Sequence, residues 1–198
     1  MKDACSGIIL AGGLNRRMGG KNKAFLSVGG EMILDGLHRT FRELFRDVVL
    51  VSNSPQDYLD WDLAIVTDLF SVRSALTGIH AGLFHIPTPH AFVAACDMPY
   101  LKKELVETLM NQVDPRRDVV IPVTEAGYQP LCAVYSKRCI HPIEHQLRQG
   151  KAKIADFFSQ VRVKEVPGDR LRRADPELVS FVNINTPEDL AHLYGKGL

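Results

Sequence analysis

The sequence turns on Ile8-Ile9-Leu10-Ala11-Gly12-Gly13-Leu14-Asn15-Arg16-Arg17-Met18-Gly19-Gly20-Lys21-Asn22-Lys23. It opens as an apolar run, Ile8 to Leu10, and changes at once to glycine and fixed positive charge. A buried strand ending in such a loop has a physical use. Glycines lack the Cβ that keeps a backbone away from a ligand, so successive N–H groups can turn toward one anion. Arg17 and Lys23 add charge. In an open α/β sheet, ligands sit beyond the carboxyl ends of the strands, where this loop would lie. The stretch therefore reads as a nucleotide triphosphate loop. Two other phosphate loops do not fit. Gly12-Gly13 followed by Gly19-Gly20 does not give Gly-x-Gly-x-x-Gly. Asn15 and Asn22 stand where a P-loop needs Gly and Ser or Thr. The remaining alternative is a glycine-rich turn with solvated arginines. Glycine pairs on both sides of Arg16-Arg17, closed by Lys21-x-Lys23, argue against it.

Outward from this loop the pattern alternates. Phe25 to Gly30 reads as an extended piece ending in a turn. Met32 to Phe45 carries a helical apolar stripe of Ile33, Leu34, Leu37, Phe41, Leu44 and Phe45. Residues 47–51, 63–66 and 91–96 read as buried strands, and residues 75–84 and 101–112 as helices. Alternation of this kind predicts an α/β fold, a mostly parallel sheet covered by helices on both faces. Beyond it, 118–123, 131–135 and 162–166 read as strands, and 137–149 and 152–159 as helices. Residues 181–185 read as extended. Thr186-Pro187 starts a last helix, with Thr as N-cap and Pro at the first helical position. No linker, repeat or low-complexity segment interrupts the chain, so residues 1–198 are expected to form one domain.

The 198 residues are 45% apolar and 24% charged, with net charge +1, as in an ordinary soluble globular protein. Neither half carries a basic patch or acidic tail, so no nucleic-acid partner is expected. No apolar run is long enough to span a bilayer, and the N-terminus shows no signal-peptide apolar region. A cytoplasmic protein is expected. Cys5, Cys96, Cys132 and Cys139 include no Cys-x-x-Cys pair and read as buried reduced thiols.

Three positions just past strand ends, Asn53, Asp68 and Asp97, would face the same crevice as the glycine-rich loop. Asp97 ends a buried strand and precedes Pro99, so it cannot simply continue a ladder. A carboxylate there can hold Mg²⁺ against phosphate oxygens, because Mg²⁺ keeps several waters and needs one or two protein carboxylates. The alternative is a cap for the following helix. Asp68 could accept hydrogen bonds from a guanine or a ribose hydroxyl, or serve only the turn. The register of Asn53 is ambiguous, and it is left unassigned. Asn183 and Asn185 alternate with Ile184, so both amides share one side of the segment. They could orient a polar acceptor or satisfy the loop. His141-Pro142-Ile143-Glu144-His145 fits an inverted zincin pattern. It lacks a persuasive third ligand, and Pro142 marks a helix start rather than an interior.

Leu10-Ala11-Gly12-Gly13, Arg17-Met18-Gly19 and Lys23, with Cys96-Asp97-Met98-Pro99 and Val182-Asn183-Ile184-Asn185-Thr186-Pro187, resemble the molybdenum cofactor guanylyltransferases. These are proteins of the molybdopterin-guanine dinucleotide biosynthesis protein A type. The family carries Asp where this chain has Asn22, one negative charge fewer. Leu76-Thr77-Gly78-Ile79, Gln129-Pro130-Leu131 with Tyr135, and Gly150-Lys151-Ala152-Lys153 also match family segments. The resemblance implies a Rossmann-like, nucleotide-diphospho-sugar transferase-like fold. It implies a Mg²⁺-dependent nucleotidyltransferase that moves GMP from GTP to the phosphate of molybdopterin and releases pyrophosphate. Cofactor-assembly proteins would be further partners. On this reading Arg17, Lys23 and Asp97 are catalytic, and Asp97 is the metal ligand. Leu10, Ala11, Gly12, Gly13, Lys23, Asp68 and Asp97 contact the nucleotide, and Asn183 and Asn185 face the acceptor. The alternatives are a relative using CTP or a sugar phosphate, and a non-catalytic GTP-binding adaptor.

Overall fold

The first strand, β1 (Cys5–Leu10), lies in the middle of the sheet and is buried along its whole length. The computed structural model describes residues 5–12, 22–184 and 189. Gly13, Arg17, Asn185 and the helix expected from Thr186 lie outside them. Beyond β1 the short strands β2 (Ser27–Val28) and β3 (Glu31–Met32) form a small antiparallel pair, and α1 spans Ile33–Leu44. The main sheet continues with β4 (Val48–Val51), β5 (Ala64–Val66) and β6 (His90–Ala95). Its later strands are β7 (Val119–Thr124), β8 (Gly127–Tyr128), β9 (Cys132–Ser136) and β10 (Val163–Pro167). The strand order is β10-β7-β9-β6-β1-β4-β5, with β8 paired to β7. β1, β4, β5 and β6 run parallel, as do β7 and β10, while β9 runs against both its neighbours.

Strand alternation sends side chains to two cores, one on each side of the sheet. Ile9, Phe92 and Ala94 join α1 and α3 (Lys103–Met110) through Phe41, Phe45, Leu105 and Leu109. Ile8, Leu10 and Val93 join α2 (Ala75–His85) and α4 (Ile140–Arg148) through Leu76, Ile79, Ile143 and Leu147. The α2 backbone rests directly on β1: a Cβ on Gly82 would lie 2.7 Å from the Ile8 side chain. Phe41, Phe45 and Phe92 form a ring cluster with centroids 5.3 to 6.2 Å apart.

Several expected elements differ in kind. Residues 154–160 form a 3₁₀ helix, as do 137–139 ahead of α4. Pro142 sits in the first turn of α4, where its missing N–H costs nothing. Lys23–Phe25 is a 3₁₀ turn, so only Ser27-Val28 of the expected extended piece is strand. Val179–Phe181 is also a 3₁₀ turn. Leu178, at φ 52°, reverses the chain there, and the buried Asp175 accepts the Ser180 N–H at 2.8 Å. The extended path begins only at Val182. The hairpin β7–β8, closed by Gly127 at φ 96°, and the four-residue helix α5 (Gly168–Leu171) had no sequence signal.

The Phe41→Ala variant is expected to lose about 3–5 kcal/mol of stability in urea unfolding, the cost of emptying a packed aromatic site. A loss below about 1 kcal/mol would show that the α1 face is not the tightly packed core described.

Candidate active site

Chain order decides where the site forms. From β1 the chain winds one way, through α1 to β4 and on to β5. It then returns through α2 to β6, on the other side of β1. β1 and β6 are therefore the point where the winding reverses, and a crevice opens beyond their carboxyl ends. Across that edge the strand ends present, in order, Asp97 after β6, Leu10 to Gly12 after β1, Asn53 after β4 and Asp68 after β5. Three strand spacings separate the outer two, about 14 Å.

The sheet holds β1 to its very end. The Ala11 N–H donates to Val51 O at 2.9 Å, and the Cys96 N–H donates to Leu10 O at 3.0 Å. Gly12 then leaves the sheet, exposed. Among the described residues, a Cβ there would meet nothing nearer than Val51 O at 3.9 Å.

At the β1/β6 crevice Lys23 Nζ lies 3.4 Å from Asp97 Oδ2, with the two side chains 17% and 19% exposed. Burial pushes the Asp97 carboxyl above its usual range, and the charge and hydrogen bond of Lys23 oppose that rise. Folded Asp97 thus holds its proton more tightly than in the unfolded chain. It contributes stability at low pH that is lost as pH rises through the raised pKa. The capping alternative fails: α3 begins at Lys103, with Lys102 as N-cap and no side-chain cap. The peptide oxygen of Asp97 accepts the Ile184 N–H at 3.0 Å, which ties the carboxyl-terminal segment to the crevice. Ile184 is fully buried and Asn183 exposed beside it.

At the other end Asn53 and Asp68 bond reciprocally. Asn53 Nδ2 donates to Asp68 Oδ2 at 2.7 Å, and the Asp68 N–H donates to Asn53 Oδ1 at 3.1 Å. From the sequence alone the register of Asn53 is ambiguous. The β4–β5 register, Val51 opposite Val66, settles it. Burial raises the Asp68 carboxyl, with Asn53, Arg73 and His80 opposing. Beneath this end α2 starts in order: Ser74 caps it by accepting the Thr77 N–H at 3.2 Å, and Thr77 donates to Val72 O at 2.7 Å.

Among the described residues no three His, Cys, Asp or Glu side chains gather as a metal cage. The donors fit a hard cation shared between Asp97 and the phosphates of a bound nucleotide, the arrangement Mg²⁺ favours. They do not fit the inverted zincin pattern. His141 is largely exposed, Glu144 faces the buried His80 at 3.1 Å, and His145 pairs with Gln149 at 2.8 Å. Tyr135 is a core residue: it is fully buried, and its hydroxyl donates to Pro130 O at 2.7 Å. It supports the loop at 129–131 from below. Cys96, beside Asp97, is pushed up to about 12 by burial and is no thiolate nucleophile.

Residues 7–165 match the family of the MobA-like NTP transferase domain, and the chain belongs to it. It is 47% identical, over 95% of its own length and 93% of the relative's, to a protein of Desulfosudis oleivorans named molybdenum cofactor guanylyltransferase. Its fold is similar to that of molybdopterin-guanine dinucleotide biosynthesis protein A from Archaeoglobus fulgidus. The TM-score is 0.86 at 29% identity, over 97% and 98% of the two chains. A 4-diphosphocytidyl-2C-methyl-D-erythritol synthase from Anaerococcus prevotii shares the fold at TM-score 0.67 and 17% identity, over 99% of each chain. The central sheet flanked by helices is thus that of the nucleotide-diphospho-sugar transferases, as the sequence led one to expect.

Replacing Lys23 by Met removes the charge that opposes the Asp97 shift. Carboxyl NMR titration is expected to place Asp97 higher in the variant than in the native protein. An unchanged or lower value would show that Lys23 does not set it.

Proposed function

Because the chain belongs to the MobA-like NTP transferase family, we propose that it is a molybdenum cofactor guanylyltransferase of one domain, residues 1–198. It transfers GMP from GTP to the phosphate of molybdopterin. The observation that carries this reading is the pairing of a partly buried lysine and aspartate at the switch point, beside a strand end that glycine leaves open.

In this mechanism the Leu10 to Gly12 backbone receives the nucleotide and the Asn53–Asp68 pair takes the ribose or base. The pair reads a guanine well, since Asp68 can accept from ring N–H and amine donors. Lys23 leaves Asp97 for the triphosphate, and Arg17 adds a second cation. Asp97 would hold Mg²⁺, which would neutralise phosphate charge. An oxygen of the acceptor phosphate attacks the α-phosphorus in line. The new P–O bond forms as the bond to the β-phosphate oxygen breaks, and pyrophosphate leaves with the electron pair. The attacking oxygen is already ionised at neutral pH, so no general base is required. Catalysis is positioning and charge stabilisation. Asn183, exposed beside the Asp97 carbonyl contact, is assigned to the acceptor, and the proposal gives Asn185 the same role.

The reading also places the protein in the cytoplasm, handing its product to cofactor-assembly proteins. No helix among the described residues is long and apolar enough to cross a membrane.

Calorimetry with GTP, CTP and ATP in Mg²⁺ tests the nucleotide. GTP is expected to bind in clear preference, more weakly to Asp97→Ala; preference for CTP would move the protein to the cytidylyl branch. The Lys23→Ala enzyme is expected to turn over about 10²–10³-fold more slowly, the scale of one lost charge stabiliser. Near-native turnover would remove Lys23 from the mechanism.

A further inference from the structure

Lys23 sits on a single 3₁₀ turn, and what fixes that turn is a chain of hydrogen bonds running back to the end of β1. Asn22 is its N-cap: Asn22 Oδ1 accepts the Ala24 N–H at 3.1 Å. The amide's other end, Nδ2, donates to the Tyr58 hydroxyl at 2.7 Å. The Tyr58 hydroxyl donates to Ala11 O at 2.9 Å. Ala24 is fully buried, Tyr58 is 1% exposed and Ala11 is 5% exposed. Three segments, residues 22–25, the Pro55–Tyr58 3₁₀ turn and the β1 end, are thereby joined. The Tyr58 ring adds packing. It lies 5.3 Å from Phe25 and 6.3 Å from Trp61, and Phe25 stacks on Trp61 at 5.7 Å and 6°.

The direction of every bond in this chain is set. A carbonyl has no proton, so Tyr58 must donate to Ala11 O. The tyrosine has one proton and has spent it there. Its oxygen can then only accept from position 22, and an amide supplies that donor. A carboxylate at position 22 has none. It would take the tyrosine proton and leave the Ala11 carbonyl, buried, without a partner. Burial pushes the Tyr58 hydroxyl above its usual pKa, with hydrogen bonds from Asn22 and Ser52 opposing, so the phenol keeps the proton the relay needs.

We infer that Tyr58 is a positioning residue for the transfer reaction: through Asn22 it fixes the turn bearing Lys23 against the Ala11–Gly12 backbone, and the amide of Asn22 directs its proton. The inference rests on the proposed role of Lys23 at the triphosphate. It also gives Asn22 a function as a donor, where the comparison with the family's Asp sees only a lost charge. The two ends of the relay are the two parts of the phosphate site, cation and backbone, so their separation determines whether both reach one triphosphate.

The test is a double-mutant cycle on GMP transfer to molybdopterin at saturating GTP. Tyr58→Phe deletes the hydroxyl and keeps the ring. Its turnover is expected to fall about tenfold in the native background and less than twofold in the Lys23→Ala background, because the tyrosine acts through the lysine. Near-ultraviolet circular dichroism of the Phe25–residue 58–Trp61 stack verifies that the variant is folded. Native turnover in Tyr58→Phe overturns the inference. Equal losses in both backgrounds overturn the action through Lys23. Native turnover in Lys23→Ala removes the underlying reading and the inference with it, whereas impaired Lys23→Ala with unaffected Tyr58→Phe sinks the positioning role and spares Lys23. Asn22→Asp keeps the acceptor for Ala24 and removes the donor. It is expected to lose turnover like Tyr58→Phe, and native turnover there would overturn the inference even if Tyr58→Phe did not fold.

Discussion

Everything at the carboxyl edge of the sheet depends on β1 lying between β4 and β6, with parallel pairing on both sides. A strand in that place must be buried on both faces and approached closely by helices. The sequence meets this with Ile8, Ile9 and Leu10 in opposite cores and with Gly82 of α2 set against Ile8. The same placement makes β1 the strand from which the winding runs in both directions. Segments 74 residues apart, at Lys23 and Asp97, then meet at its end.

That meeting places opposite charges where water is partly excluded. Burial alone would push the Asp97 carboxyl toward its neutral form; the nearby ammonium opposes this. The Lys23–Asp97 separation of 3.4 Å is at the long end for a hydrogen bond. Such a pair is suited to opening when a polyphosphate and a cation offer each partner a better counter-charge. By contrast the groups behind the pair are tightly bound. Asn22, Tyr58 and Ala11 O are linked at 2.7 to 2.9 Å, and Asp175 holds Ser180 near the segment that reaches Asp97 through Ile184. On the proposed reading, charge stabilisation without a general base needs a fixed scaffold behind charges that can exchange partners.

Much of this was legible in the residues. Buried strands announced themselves as short apolar runs, and α1 as a stripe at helical spacing, because burial imposes those periods. Asp68 and Asp97 were found by position, since strand ends in an α/β sheet face the crevice. What stayed hidden has a physical reason in each case. The apolar run 131–135 reads the same in either direction, so the reversal of β9 carried no signal. An apolar stripe does not distinguish a 3₁₀ helix from an α-helix, so residues 152–159 read as a helix without its type, which is 3₁₀ over Ile154–Gln160. Asn53 needed the β4–β5 register. Asn22 looked like a missing charge because composition records charge, and its work as a directed donor depends on Tyr58, 36 residues away.

On the proposed function, the crevice between β1 and β6 moves a guanylyl group onto a phosphate acceptor. The decisive experiment incubates the protein with molybdopterin, Mg²⁺ and GTP carrying heavy oxygen on the α-phosphate, and follows the label by mass spectrometry. The label is expected in a molybdopterin guanine dinucleotide, with unlabelled pyrophosphate released. Label confined to GTP, or a dinucleotide formed from CTP instead, would contradict it.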